Sequence, residues 1–260
     1  MQKSITKIAL AGSGNIAWHL ANGLKLQGYQ VNGIWSRNYS NAFALAESCG
    51  SLVCNEVEDL RKNADLIIIA VADNAIEEVA RLIGKFDGIV VHTAGSVAID
   101  VLKDLFKNYG VVYPLQTFSK GVPVDLLGVS FFIESSSNEN TELLKQVALA
   151  LSDKVYIANS HQRMLLHVAG VFACNYSNLM YTISSEIIKS SGLTLEVLYP
   201  LILETARKAT TGDPLQMQTG PARRNDSTTI KKHLEILASL PEYAELYGRL
   251  AKLISNKYKL

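Results

Sequence analysis

Short apolar runs and helical stretches alternate through the first 157 residues of this chain. "ITKIALAG", "VNGIWS", "ADLIIIAVA", "GIVVHTAG", "GVVYPL", "GVSFFIES" and "KVYIA" each read as a strand rich in β-branched residues. Between them, amphipathic spacing predicts helices up to Gly28, over Asn41 to Ser48, Asn74 to Ile83, Ile99 to Lys107 and Glu139 to Leu151. Near-continuous apolar strands linked by helices predict a parallel sheet covered on both faces. After Asn159 the period changes. Ser160 to Ser190 reads as one long, mostly apolar helix, and further helices are expected at Leu195 to Thr210, Ser227 to Ser239 and Glu242 to Asn256. The fold class expected is α/β: a Rossmann-like doubly wound domain over 1–158, then an all-α domain over 159–260. An apolar surface all round the long helix predicts burial, in part against a second copy, and so a homodimer through the helical domain.

Composition narrows the class. Hydrophobic residues make up 48% of 260 and charged residues 19%, enough to build sizeable cores. A net charge of +1 without basic blocks argues against nucleic acid or an anionic membrane as partner. The apolar run Leu66 to Ala72 is too short to span a bilayer, and no signal-peptide pattern opens the chain. Cys49, Cys54 and Cys174 lack metal-ligand spacing and read as reduced thiols of a cytoplasmic protein. No metal site is expected, and no serine or cysteine stands beside a base that would activate it.

The chemistry starts at "GSGNIA" (Gly12 to Ala17), after the first strand and opening the first helix. Gly12 permits the tight turn, Gly14 admits a pyrophosphate to the backbone, and Ala17 lets helix and strand pack closely. Gly12, Ser13, Gly14, Asn15 and Ile16 are therefore candidate cofactor ligands. The second strand ends in Ser36, Arg37 and Asn38, where an NAD protein would place an acid for the ribose hydroxyl. A guanidinium and two neutral groups suit a 2′-phosphate, which predicts NADP. In "AVADN" the strand-end loop, Val71 to Asn74, is expected against the cofactor, with Val71 and Ala72 as its ligands.

Substrate groups should lie on the same sheet edge. "HTAGS" ends one strand and offers Thr93 and Ser96, with His92 read as packing; "PLQTF" ends the next and offers Gln116. On the long helix, Asn175 and Asn178 fall about 80° and 20° from His167 at ~100° per residue. These three and Val171 share a broad face, either as satisfied core groups or as a site. Late in the chain, "TGPARRND" breaks the helical pattern with Gly220 and Pro221 and displays Arg224 before Asp226, a candidate helix cap.

"GSGNIA", "HTAGS", "PLQTF", "LHVAGVFACNYSNLM" and "TGPARRND", in this order, resemble a bacterial family of Rossmann-like oxidoreductases with a helical C-terminal domain. That family is similar in plan to pyrroline-5-carboxylate reductase, ketopantoate reductase and the hydroxyisobutyrate and 6-phosphogluconate dehydrogenases. The resemblance implies hydride transfer between NADPH and a C=O or C=N group of a small carboxylate-bearing metabolite. His167 would be the general acid, and Asn175 would orient the substrate. Thr93, Ser96, Gln116, Asn178 and Arg224 would hold it. Two departures stand out. Tyr113 replaces the histidine that the family often has before "PLQ", and Val171 stands where the hydroxyacid dehydrogenases carry a catalytic lysine. Arg224 and Asp226 read equally as a loop or interface staple. A dinucleotide-sensing protein without catalysis is the alternative reading of the whole chain.

Overall fold

The computed structural model describes residues 4–258. It divides into two compact units, Met1–Asn175 and Tyr176–Leu260.

The first unit is built on seven strands: β1 (Lys7–Ala11), β2 (Gln30–Trp35), β3 (Leu66–Ile69), β4 (Ile89–His92), β5 (Tyr109–Leu115), β6 (Ser130–Ser135) and β7 (Val155–Ile157). Their order across the sheet is β2-β1-β3-β4-β5-β6-β7. Side chains alternate between two cores. Ile8, Leu10, Leu66 and Ile68 face one side with the helices α1 (Asn15–Leu26), α2 (Tyr39–Cys49) and α4 (Asn138–Leu149). Ala9, Ala11, Ile67 and Ile69 face the other with α3 (Ile76–Ile83). The period-2 alternation inside fully apolar strands is thus two-sided burial, as a doubly wound sheet requires.

Two expectations need correction. The sheet is not wholly parallel, because β5 and β6 pair antiparallel while β1–β2, β1–β3, β3–β4, β4–β5 and β6–β7 are parallel. The segment between β5 and β6 carries only the short 3-10 turn Leu126–Gly128, and without a crossover helix the chain returns along its neighbour. The helix expected over Ile99 to Lys107 is a single 3-10 turn, Ile99–Leu102.

β1 lies between β2 and β3, so the chain leaves it toward opposite sides on successive crossovers. This topological switch point opens a crevice at the carboxyl ends of the strands. β4 and β5 end on the same edge.

After β7, Asn159 accepts from the Gln162 N–H and Gln162 answers on the Asn159 N–H, a capping box that starts α5 (Ser160–Gly170). The long helix expected here is interrupted. Val171–Tyr176 adopts a π-helical turn before α6 (Ser177–Lys189) begins. The second unit continues with α7 (Tyr199–Thr211), α8 (Pro214–Met217), α9 (Ser227–Ile236) and α10 (Pro241–Lys257).

Candidate functional site

A cavity of about 520 Å³ opens over the switch point, lined by Gly12 to Ile16, Ser36, Arg37 and Ala70 to Ala72, with Gln116 at one side. Gly12 holds φ +122°, and a side chain there would collide with the Ala70 carbonyl of β3's end. Only glycine serves. A Cβ on Gly14 would meet nothing within 4 Å, so the space over the first turn of α1 is open. No side chain caps that turn and no acid lies in it. Open space above an uncapped helix N-terminus fits an anion such as a pyrophosphate.

The predicted residues divide here into backbone and side-chain contributors. Ser13 Oγ donates to Ser36 Oγ at 2.9 Å, fastening the glycine loop to the end of β2. Asn38 caps α2 by accepting from the Asn41 N–H at 3.0 Å, and it does not line the cavity, whereas Asn41 does. The Asn15 amide donates to the Phe118 carbonyl at 2.9 Å and accepts from the Lys120 N–H at 3.1 Å. His19 stacks at 5.0 Å on Phe118, and the Lys120 ammonium lies 4.5 Å over Trp18. Asn15 thereby ties "PLQTF" to the glycine loop. Arg37 is exposed on the cavity wall.

A second cavity, about 470 Å³, lies along the ends of β4 and β5. Its walls include Thr93, Tyr113, Gln116, His167, Cys174 and Asn175. Ile16 and Gln116 line both cavities, so the two share a wall. At its floor the Tyr113 hydroxyl meets His167 Nδ1 at 3.3 Å. The Tyr113 ring lies over Gly95, where a Cβ would come within 2.6 Å of Cζ; this explains the glycine of "HTAGS". Burial raises the Tyr113 phenol above its usual pKa, the Asp73 carboxylate adds to that, and Arg163 opposes it. Asp73 also lines this cavity and accepts a short hydrogen bond from Ser96. Ser96 itself does not line it, so its direct effect is on Asp73.

Behind this wall is a buried ion pair. Arg163, fully buried on α5, forms a short pair with Glu134 of β6 and donates to the Val97 carbonyl at 2.8 Å and to Ser160 at 3.3 Å. It stands one helical turn before His167 and grips the segment that follows "HTAGS". His92 is fully buried, accepts from the Ala94 N–H at 3.2 Å, and leaves Nε2 without a partner. Burial, reinforced by the Arg163 charge, lowers its pKa to about 4. A neutral packing residue, as expected from the sequence, is what these facts describe.

The π-helical turn changes the face argument. Its i→i+5 pattern breaks the 100° spacing beyond Gly170, yet His167, Val171 and Asn175 all line the second cavity. Asn178 belongs to the second unit, on α6, where its carbonyl accepts from the Thr182 hydroxyl. Arg224 is exposed in that unit. Asp226 caps α9, accepting from the Thr229 N–H at 3.0 Å and hydroxyl at 2.7 Å. Those bonds, with Arg224 adding to them, hold its carboxyl below the usual range.

Two lining residues escaped the sequence reading, Tyr113 as a working member and Cys174, while Asp73 lay in the strand-end loop "AVADN" expected against the cofactor. Asp73 carried a weak signal, a carboxylate two residues beyond a strand-end valine. Cys174 carried none.

Family models match in two parts. Residues 7–103 match the NADP oxidoreductase coenzyme F420-dependent family, and residues 129–254 match a domain of unknown function (DUF2520). A Bacteroides fragilis structure assigned as an NADP oxidoreductase is 39% identical over 96% of this chain and 98% of that one, with a TM-score of 0.91. The chain belongs to this oxidoreductase family. At lower identity, a pyrroline-5-carboxylate reductase from Coxiella burnetii shares the fold at 19% identity and a TM-score of 0.59, covering 98% of each chain. A reductive aminase from Aspergillus terreus, solved with NADPH and ethyl levulinate, does so at 15% and 0.73, over 97% of this chain and 93% of that one. L-Aspartate dehydrogenase of Methanocaldococcus jannaschii is 27% identical over 114 residues, which spans only 42% of that enzyme's length. The resemblance and the fold class read from the sequence both hold. The family and its relatives agree with a nicotinamide dinucleotide oxidoreductase. Among the described residues there is no cluster of three or more metal-ligating side chains, and no helix is long and apolar enough to cross a membrane.

Proposed function

We propose that this protein is an NADP-dependent reductase that moves a hydride between NADPH and a C=O or C=N carbon of a small carboxylate-bearing metabolite. The observation that carries this reading is the wall common to two cavities: the glycine-loop crevice and the Tyr113–His167 chamber share Ile16 and Gln116. A dinucleotide held in the first would present its reactive ring toward the second. The bound cofactor supplies the hydride, and the chain supplies everything else.

Backbone of Gly12 to Ile16 would hold the pyrophosphate, with Val71 and Ala72 forming the facing wall. Arg37, beside Ser36, would hold the 2′-phosphate; Asn38 supports them as the α2 cap. The absence of an acid after β2 and the NADP oxidoreductase family description both support NADP over NAD. Thr93, Gln116 and Asn175 would orient the substrate. His167 would act as general acid, with the Tyr113 phenol at its Nδ1 completing the path for the proton. Asn178 and Arg224 are proposed substrate ligands from the sequence pattern. An arginine fork suits a carboxylate, and the pyrroline-carboxylate and aspartate enzymes named above support such a substrate. We place the domain division at residue 158, where the last strand has ended, and the protein in the cytoplasm.

A homodimer through the helical region belongs to the same proposal. Among the described residues of the second unit only Ala222, Leu237 and Ala251 are buried, while Leu201, Leu203, Ile236 and Leu253 are each at least 60% exposed. A second copy would cover these side chains.

The test is a screen of NADPH oxidation against 2-keto acids and cyclic imines, and of NADP⁺ reduction with branched hydroxy acids, alongside NADPH and NADH titrations. Substrate-dependent oxidation supports the enzyme. Tight cofactor binding with no turnover across the panel would favour the dinucleotide sensor.

A further inference from the structure

The charge inside the Tyr113–His167 chamber has the wrong sign for a carbonyl reductase. Asp73 is the only Asp, Glu, Lys or Arg among the residues lining it. The nearby cation, Arg163, is consumed behind the wall by Glu134, Val97 and Ser160. Asp73 is held in place, because Ser96 donates to Oδ2. Among the described residues no side-chain hydrogen bond engages the other carboxylate oxygen, Oδ1. The remaining lining is mostly small and apolar: Ala94, Pro114, Leu115, Gly170, Val171 and Ala173. The face of Tyr113 adds an aromatic surface.

Reducing a carbonyl develops negative charge on oxygen, and a carboxylate nearby opposes that charge. Reducing a protonated imine discharges a cation. A carboxylate beside the nitrogen favours the protonated, electrophilic form, and an aromatic ring adds to the attraction. From this we infer that the chamber takes a cationic nitrogen: the substrate is a small cyclic or N-alkyl imine, bound as its iminium with the N–H donating to Asp73.

This deepens the reductase reading and rests on it. The iminium carbon gains one hydrogen and two electrons, taken from the reduced nicotinamide, which becomes oxidised. The C=N π pair moves onto nitrogen, and the positive nitrogen becomes a neutral amine. No proton is needed in that step. The amine is afterwards protonated by His167, the proposed general acid, with the Tyr113 hydroxyl at its Nδ1. The Tyr113 phenol stays neutral throughout, in keeping with the upward shift that burial and Asp73 give it.

The test uses two ring-matched probes, pyrrolidinium and cyclopentanol, titrated calorimetrically into the whole protein with and without NADP⁺. The unmutated protein should prefer pyrrolidinium by roughly ten- to a hundredfold, the range of one charge-assisted hydrogen bond. Asp73→Asn should erase that preference while the NADP⁺ dissociation constant stays within about threefold. Ser96→Ala keeps the charge but frees the carboxylate and should retain part of the preference, which covers the case of a poorly folded Asp73 variant. Cyclopentanol binding as tightly as pyrrolidinium, or a preference that survives Asp73→Asn, overturns the inference. Turnover of cyclopentanone with none of 1-pyrroline does the same. Pyrrolidinium bound through Asp73 by a protein that binds no NADP⁺ upholds the amine site and removes the reductase reading alone.

Discussion

The two units differ in how they hold themselves together. The first encloses a fully apolar sheet between two cores, with Ile8, Leu10, Ile67 and Ile69 showing no exposure. In the second, helices form for local reasons. Asp226 caps α9, prolines open α7, α8 and α10, and ion pairs such as Arg207–Glu204 span single turns. Bonds between elements exist as well, His233 of α9 to Tyr247 of α10 at 2.7 Å and Ser255 of α10 to the carbonyl of Ala222, in the turn before α9, at 2.8 Å. Caps and i,i+4 pairs contribute only about 0.3–1 kcal/mol each, and isolated helices of this length are marginal. Helical propensity without a buried face does not make a domain. The sheet unit buries its apolar side chains within itself, and the helical unit leaves most of its own uncovered.

The strongest way to break this contrast is to charge the exposed apolar faces. Leu203→Glu with Ile236→Glu should convert a dimer into a monomer, because burying either carboxylate costs several kcal/mol. Sedimentation velocity reads the result. A protein already monomeric at micromolar concentration would show that the second unit is stable with its apolar side chains in water, against the expected interface of more than ~2,000 Å².

Next in size is the buried pair of the first unit. Arg163→Met leaves Glu134 without its cation, with only the Ser160 hydroxyl still donating to it, and should cost about 3–5 kcal/mol. Chemical denaturation should place that loss in the sheet unit, with sedimentation unchanged. If the dimer also falls apart, the two units are not independent in stability.

Arg37→Asp should weaken NADPH binding roughly ten- to a hundredfold and leave NADH affinity nearly unchanged. Arg37 is exposed on a rigid scaffold, so the melting temperature should hold. Equal affinity for both cofactors in the unmutated protein would sink the 2′-phosphate assignment.

The last effect is a pH slope. His92 is held at about 4 in the folded state, below the 6.5 of a free histidine. Between these values the unfolded chain binds the extra proton. Stability is therefore full above pH ~6.5 and is lost toward pH ~4, at most about 1.4 kcal/mol per pH unit. His92→Gln should flatten this acid limb. An unchanged slope would mean that other groups set it.

How much of this was legible beforehand depended on distance along the chain. The glycine loop could be read because its turn, its helix and its strand are neighbours in sequence. Asp226 could be named as a cap for the same reason. Tyr113 could not be promoted from a departure to a working residue, since its partner His167 lies 54 residues away. Arg163 went unnoticed because a lone arginine on an apolar helix has no local signature. Only Glu134 and the Val97 carbonyl, each brought from another element, make it a brace. Ser13 and Asn15 also carry fastening bonds that join distant segments around the crevice, which no local pattern announces, while Asn38 caps α2.

By itself the sequence determined the alternating order of strands and helices, the apolar content that buries the sheet on both faces, the glycine turn and the missing acid after β2. These follow from local sterics and periodicity, which act over a few residues. The tertiary structure decided the antiparallel β5–β6 pair, the π-helical turn at Val171–Tyr176, the shared wall of two cavities and the solitary carboxylate of Asp73 within one of them. Each of these depends on which distant segments meet, and burial and charge take their meaning only once those neighbours are fixed.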